Sequence, residues 1–316
     1  MKKLLVSLAL VLTIFRSYAD EGMWLPMLLG QQVYNDMVKH GLKLKPEQLY
    51  SINQSSIKDA IIIFGGGCTG EIVSNQGLIF TNHHCGYGAI AAASTVEANY
   101  LQDGFWAADK SKEISSKLSV KFLNRIDDVT KRIMDALGNL SGADRAKKYA
   151  EVSAAIVKEI VGEDEFKDAV VASMFKGNQF FVFVYDLYKD IRLVGTPPES
   201  IGKFGGDTDN WEWPRHTGDF SVFRVYTNKD GKPAKYDATN IPLKPKYHLP
   251  VSIKGFKDGD YSMIYGYPGG TNRYETSYGV KLSTDITSPT LVKLRDMRLK
   301  YMFAEMKKDP AVKLQL

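Results

Sequence analysis

The sequence predicts a mainly β fold, an antiparallel barrel or sandwich with helical additions. Two observations carry that expectation. Between Ala60 and Thr81, three short apolar or β-branched runs alternate with tight glycine turns. Later, Phe180-Phe181-Val182-Phe183-Val184 is too continuous to be a solvent-facing edge, and further short runs follow over 191–194, 220–226 and 261–265. The composition agrees with a folded chain: 316 residues, 44% hydrophobic and 24% charged, exclude disorder, collagen and coiled coil. The length suits one large domain or two ordinary ones with ample core.

Taken in order, the chain opens with an address. Lys2 and Lys3 precede a twelve-residue apolar run over 4–15, and Ser17-Tyr18-Ala19 offers the small residues a signal peptidase requires before Asp20. Residues 1–19 therefore read as a bacterial export signal, too short for a bilayer core of roughly 30 Å. Export places the mature protein in the periplasm or outside the cell, where cysteines can pair. Leu29, Val33 and Met37 recur at helical spacing ahead of Gly41, and Pro46 can open a second helix through Leu49 and Ile52. Strands are expected at 60–64, 71–73 and 78–81, with Ser74-Asn75-Gln76-Gly77 as the hairpin turn. Helical periodicity covers 127–137 and 143–161, the second with Ser141 as N-cap. Asn228-Lys229-Asp230-Gly231 marks a turn, the stretch to Pro250 is a long loop, and helix resumes from about 289 to 307. The order is a β domain with helical additions, then the opening of a second domain that Leu316 leaves unfinished.

Charge excludes some functions. The formal balance is +5, but Lys2, Lys3 and Arg16 lie in the leader, leaving 38 basic residues against 36 acidic. With no dense Lys/Arg stripe, no nucleic-acid partner is expected. No second run reaches membrane-spanning length, so no span is expected after signal cleavage. No His-Glu-x-x-His motif occurs, and no cofactor is expected.

The densest chemistry lies in FGGGCTGEIVSNQGLIFTNHHCGYGAI, residues 64–90. Cys68 and Cys85 bracket the hairpin, so adjacent antiparallel strands can bring them within disulfide reach. The competing arrangement is a zinc site from His83, His84, Cys68 and Cys85. Adjacent histidines project in different directions, no second Cys/His pair lies nearby, and an exported protein favours the disulfide. His84 ends a strand beside Cys85, a place that holds an imidazole rigidly at a cleft.

These residues resemble the first barrel of chymotrypsin-like serine peptidases, where a histidine before a cysteine is the general base. More narrowly, TNHHCGYGAI and ADEGMWLP are similar to the bacterial dipeptidyl peptidase 7/11 family, exported serine exopeptidases that remove dipeptides from free N-termini. GTPPESIGKFGGDTDNWEWPRHTGDFSVFRVY, residues 195–226, resembles the family's other signature. The resemblance implies that Asp219 is the triad aspartate; spacing alone leaves Asp207 and Asp209 open. It further implies that Asn210 and Trp211 hold the substrate's free amino end, although Trp211 and Trp213 unaided read as packing aromatics. Gly266-Tyr267-Pro268-Gly269-Gly270-Thr271-x-Arg273-Tyr274 is a further family-like run without an assigned role.

On this reading, residues 20–272 are the N-terminal part of a chymotrypsin-like peptidase domain and 273–316 the start of an inserted α-helical domain. One departure matters: no Gly-(Asp/Asn)-Ser-Gly nucleophile turn occurs in the sequence. The resemblance therefore implies an incomplete double-barrel peptidase whose serine lies in a missing C-terminal part. The expected substrates are peptides with a free N-terminus, and the full-length protein is a possible homodimer. The alternative is a catalytically inactive exported peptide-binding fragment. Preference between acidic and hydrophobic residues at the cleavage site is not legible.

Overall fold

The computed structural model describes residues 23–206, 208, 212–270 and 275–315. The expected leader over 1–19 lies outside them. Helix α1 (Gln31–Lys39) stops at His40, where Gly41 at φ +112° reverses the chain. Leu29 and Met37 pack beside Leu42, Leu49, Ile57 and Ile61, while Val33 is outside that cluster. The expected second helix is a single turn, Pro46–Leu49, and Ile52 is exposed.

The hairpin region forms β1 (Ile61–Phe64), β2 (Cys68–Ile72) and β3 (Leu78–Thr81), with Gly77 at φ +66° closing the second turn. Helix α2 (His83–Ala93) follows directly. Then come β4 (Phe105–Trp106), β5 (Ile114–Ser115) and β6 (Val120–Asp128). Helices α3 (Thr130–Leu137) and α4 (Gly142–Val161) precede β7 (Lys167–Met174), β8 (Gln179–Tyr188) and β9 (Asp190–Thr196). After a long excursion come β10 (Ser221–Thr227) and the short β11 (Ile241–Pro242).

Among the described residues these strands form one antiparallel sheet of order β4-β9-β10-β3-β2-β1-β6-β8-β7, with β11 on β10 and β5 on β9. Strand β8 is internal, flanked by β6 and β7, as its unbroken apolar run requires. The sheet curls on itself. β1 and β10 are three strand steps apart, about 14 Å in a flat sheet, yet the Phe64 and Phe223 rings sit 4.9 Å apart. Ile62, Ile72, Ile79, Val120, Ile191, Leu193 and Val225 fill the same core, and Ile90 of α2 plugs it. Helices α3 and α4 cover β7 and β8 through Ile133, Leu137 and Ile156 against Ala169, Phe180 and Val182.

Three further expectations change. The helix placed at 127 begins at Thr130, because β6 keeps pairing with β8 as far as Asp128 opposite Phe181. No strand forms over 261–265. Tyr261 and Tyr265 pack instead as a loop against the α1 cluster, and the Tyr265 hydroxyl donates to the Leu49 carbonyl at 3.1 Å. The last helical stretch starts earlier than 289, at Ser277–Leu282. It then passes through a π segment, Ser283–Thr287, into the helix Ser288–Met306. The π segment is where Pro289, which lacks an N–H, disturbs the i−4 ladder. No described helix is long and apolar enough to cross a membrane.

Candidate active site

Strand register brings the site together. In the β3–β10 ladder Ser221 lies opposite Thr81, so continuing the antiparallel register sets Asp219 across from His83, beside His84. Thr81 is fixed from the other side, its hydroxyl donating to the Thr69 carbonyl at 2.8 Å. At Asn82 the chain turns from strand to helix in extended conformation. Its side chain makes no cap bond; it donates to the Asp219 carboxylate at 3.1 Å and to the Asp219 carbonyl at 3.2 Å.

Asp219 is thus held at the first turn of α2. Its Oδ1 accepts the His84 backbone N–H at 3.1 Å, and its Oδ2 lies 2.8 Å from His84 Nδ1. A carboxylate here stabilises the helix N-terminus and fixes which imidazole nitrogen carries the proton. With Nδ1–H donated to Asp219, Nε2 is left as the basic nitrogen. The His84 side chain is 70% exposed and Asp219 30% exposed, so a basic nitrogen is presented at an open surface. Ser221 is committed elsewhere: fully buried, its hydroxyl donates to the Asn82 carbonyl at 2.9 Å.

Cys68 at the start of β2 and Cys85 in the first turn of α2 form a disulfide, with Cα atoms 6.1 Å apart. Cys68, His84 and Cys85 are close enough to suggest metal ligation. With the sulfurs bonded to each other neither is a thiolate, so that group lacks the ligands zinc takes from cysteine. The family-like run at Gly266 docks on the same corner. Tyr267 donates its backbone N–H to the Thr69 hydroxyl at 2.9 Å, and a Cβ on Gly266 would sit 2.8 Å from that oxygen.

These contacts put a histidine–carboxylate pair at the end of one strand ladder, stapled by a disulfide. A model of the peptidase S46 family matches residues 19–316. The chain belongs to that family. It is 50% identical over 299 residues to a dipeptidyl-peptidase 7 of Capnocytophaga gingivalis, covering 94% of this chain and 42% of that protein. It is 43% identical to an Asp/Glu-specific dipeptidyl-peptidase of the same organism, over 98% of this chain and 44% of the other. A crystal structure of Porphyromonas endodontalis DPP11 in complex with the dipeptide Arg-Glu superposes with a TM-score of 0.85 at 39% identity. It covers 94% of this chain and 43% of that one. The chain thus spans about two fifths of the length of the relatives it matches.

Within this S46 chain, Asn210 and Trp211 lie outside the described residues, as do Asp207 and Asp209. What carries them is described at its base. The excursion between β9 and β10 is closed by the Gly218 N–H donating to the Ile201 carbonyl at 2.9 Å, and by the Thr217 hydroxyl donating to Phe204 at 2.9 Å. Sequence reasoning singled out His84 and gave its neighbour His83 no role beyond the disfavoured zinc site, and the structure gives the two different surroundings. His84 faces solvent, whereas His83 is 1% exposed and its Nε2 has no hydrogen-bond partner. Burial lowers the His83 pKa below its usual value, against the opposing charges of Asp219 and Glu199. Helical spacing could have suggested that split, since consecutive residues point about 100° apart. The bonding of Asn82 to Asp219 had no sequence signal.

Proposed function

We propose that this chain supplies the base-and-carboxylate half of a serine-type dipeptidyl peptidase. The protein releases dipeptides from the free N-termini of peptides. His84 is the general base, Asp219 orients it, and the nucleophilic serine comes from a second barrel beyond residue 316 of a longer protein. The observation that carries this reading is the contact of His84 Nδ1 with Asp219 at 2.8 Å beneath an exposed ring. The family's membership and the dipeptide bound in the similar DPP11 structure add support.

In the reaction, the serine hydroxyl loses its proton to His84 Nε2 as its oxygen attacks the scissile carbonyl. Asp219 stabilises the imidazolium that forms. The imidazolium then protonates the departing amine, leaving a dipeptidyl ester on the serine. Water, deprotonated by the same nitrogen, hydrolyses that ester and restores the hydroxyl. Asn210 and Trp211 cap the substrate's ammonium end, an amide oxygen and an aromatic wall being suited to a cation. Residues 1–19 direct export to the periplasm or beyond.

The test is hydrolysis of chromogenic dipeptide amides, with free and blocked N-termini, by the 316-residue chain and by the longer protein. Turnover confined to the longer protein and to free N-termini, abolished by a serine reagent and by His84→Ala, is the expected result. Activity that survives His84→Ala sinks the reading. Cleavage of blocked substrates removes Asn210 and Trp211 from the clamp. A longer protein that binds such peptides without cleaving them favours the binding-protein alternative.

A further inference from the structure

Among the described residues, His83 is the one buried titratable group at the site that the proposed chemistry leaves unused. Its ring lies under the helical turn Glu199–Gly202, from which the excursion to Gly218 departs. A Cβ built on Gly202 would fall 2.5 Å from the His83 Cγ and Cδ2 atoms, nearer than real Cβ contacts come. Gly202 has no left-handed φ, so close contact rather than backbone strain bars a side chain there, and the three nearest atoms all belong to the imidazole. The next link is Ile201, whose carbonyl takes the Gly218 N–H, and Gly218 precedes Asp219. The ring also meets Tyr87 edge-on at 6.0 Å. The path from His83 therefore runs through Gly202, Ile201 and Gly218 to the start of β10.

We propose that His83 is a positioning residue: its neutral buried ring is the seat on which the base of the 201–218 loop rests, and its protonation unseats that loop. This rests on reading the loop as carrier of the amino-end clamp. The groups facing the ring are Asp219 and Glu199, which favour its charged form, and His84 and Lys203, which oppose it. Tyr87 packs against it as a neutral phenol whose pKa burial raises. Desolvation outweighs the two carboxylates, so the seated ring has the lower pKa. The sign follows from linkage. The unseated ring, near its ordinary value of about 6.5, binds protons that the seated ring refuses. The proton-linked preference for the seated ring is fully present above that pH, weakens as pH falls through it, and levels off below the seated value. One proton limits the change to about tenfold per pH unit. Apparent KM rises in proportion as the seated fraction falls.

The test compares wild-type longer protein with His83→Phe, and with His83→Leu should the larger ring not fit. In wild type, KM for a dipeptide amide with a free N-terminus rises as pH drops from 7.5 to 5, on the scale of about tenfold per unit or less. In either variant KM is flat over that range, while kcat keeps its wild-type pH profile. An undiminished KM rise in the variants overturns the proposal, as does loss of kcat at unchanged KM. Hydrogen exchange at the Gly218 amide, corrected for intrinsic rate, reads the same event without turnover. Its protection falls with pH in wild type and is constant in the variants. If the protein cleaves nothing, the peptidase reading fails while this readout still decides the seat. A size swap adds a second check: Gly202→Ala and His83→Ala each raise KM, and the double variant recovers part of the loss. Strict additivity would break the link between the two residues.

Discussion

Replacing Asp219 by asparagine keeps the shape of the side chain and removes its charge and one acceptor. The carboxylate now serves three donors: His84 Nδ1 at 2.8 Å, the His84 N–H at 3.1 Å and Asn82 Nδ2 at 3.1 Å. An amide has one oxygen for these. If the oxygen faces Nδ1, the amide NH2 confronts the His84 N–H, donor against donor. If it faces the backbone, the NH2 donates to Nδ1 and forces the proton onto Nε2. That is the tautomer that cannot act as a base. Triad substitutions of this kind lower kcat by about 10⁴, equivalent to ~5.5 kcal/mol of transition-state stabilisation. The folding cost is smaller. A charge-assisted hydrogen bond contributes about 1.5–3 kcal/mol, and exposure of the 70% and 30% exposed partners discounts it to about 1–2. The assay is kcat on a free-amino dipeptide amide in the longer protein, alongside urea unfolding. A variant within tenfold of wild-type kcat at pH 7 refutes the role given to Asp219. A loss of activity matched by gross unfolding would mean that its main service is to the helix start.

Three further outcomes are expected. Cys68→Ala with Cys85→Ala lowers unfolding free energy by about 3 kcal/mol, from chain-entropy loss over a 17-residue separation. Denaturant midpoints check this, and two reactive thiols in denatured, unreduced wild type would show that the bond is absent. Glu113→Ala removes a side chain 2% exposed that accepts from Arg224 Nε at 2.8 Å and from the Tyr226 hydroxyl at 2.7 Å. Stranding Arg224, itself only 11% exposed, costs about 3–5 kcal/mol. Asp135→Ala, which breaks the 89% and 64% exposed pair with Lys131, costs under about 1 kcal/mol. Equal losses in the two variants would contradict the burial argument.

Local signals were legible. The hairpin turn at Gly77, the bracketing of it by Cys68 and Cys85, and the inner character of β8 follow from residue chemistry within a few positions. So does the placing of His84 at the end of the run Leu78-Ile79-Phe80-Thr81, although the sequence did not say whether a loop or a helix follows. Nonlocal outcomes were not legible. β6 runs on to Asp128 because β8 offers it a partner, and helical periodicity in 127–137 knows nothing of that partner. Residues 261–265 look like a strand but pair with none of the described strands, and Tyr261 and Tyr265 pack instead beside Leu42 and Leu49.

The site divides the same way. The residue types were set by the sequence: a histidine beside a cysteine, and an aspartate ahead of an apolar strand. Among Asp207, Asp209 and Asp219, spacing could not choose; a family resemblance did. In the molecule the β3–β10 register sets Ser221 against Thr81 and so Asp219 beside His84, while Asp207 and Asp209 lie outside the described residues. Which of two adjacent histidines meets solvent was likewise a tertiary decision. Helix α2 begins at His83, just after Asn82, and turns His84 toward the open face and His83 under Gly202. Pattern along a chain fixes which groups exist and their local conformation. Burial and strand pairing, set by residues more than a hundred positions away, fix what those groups face.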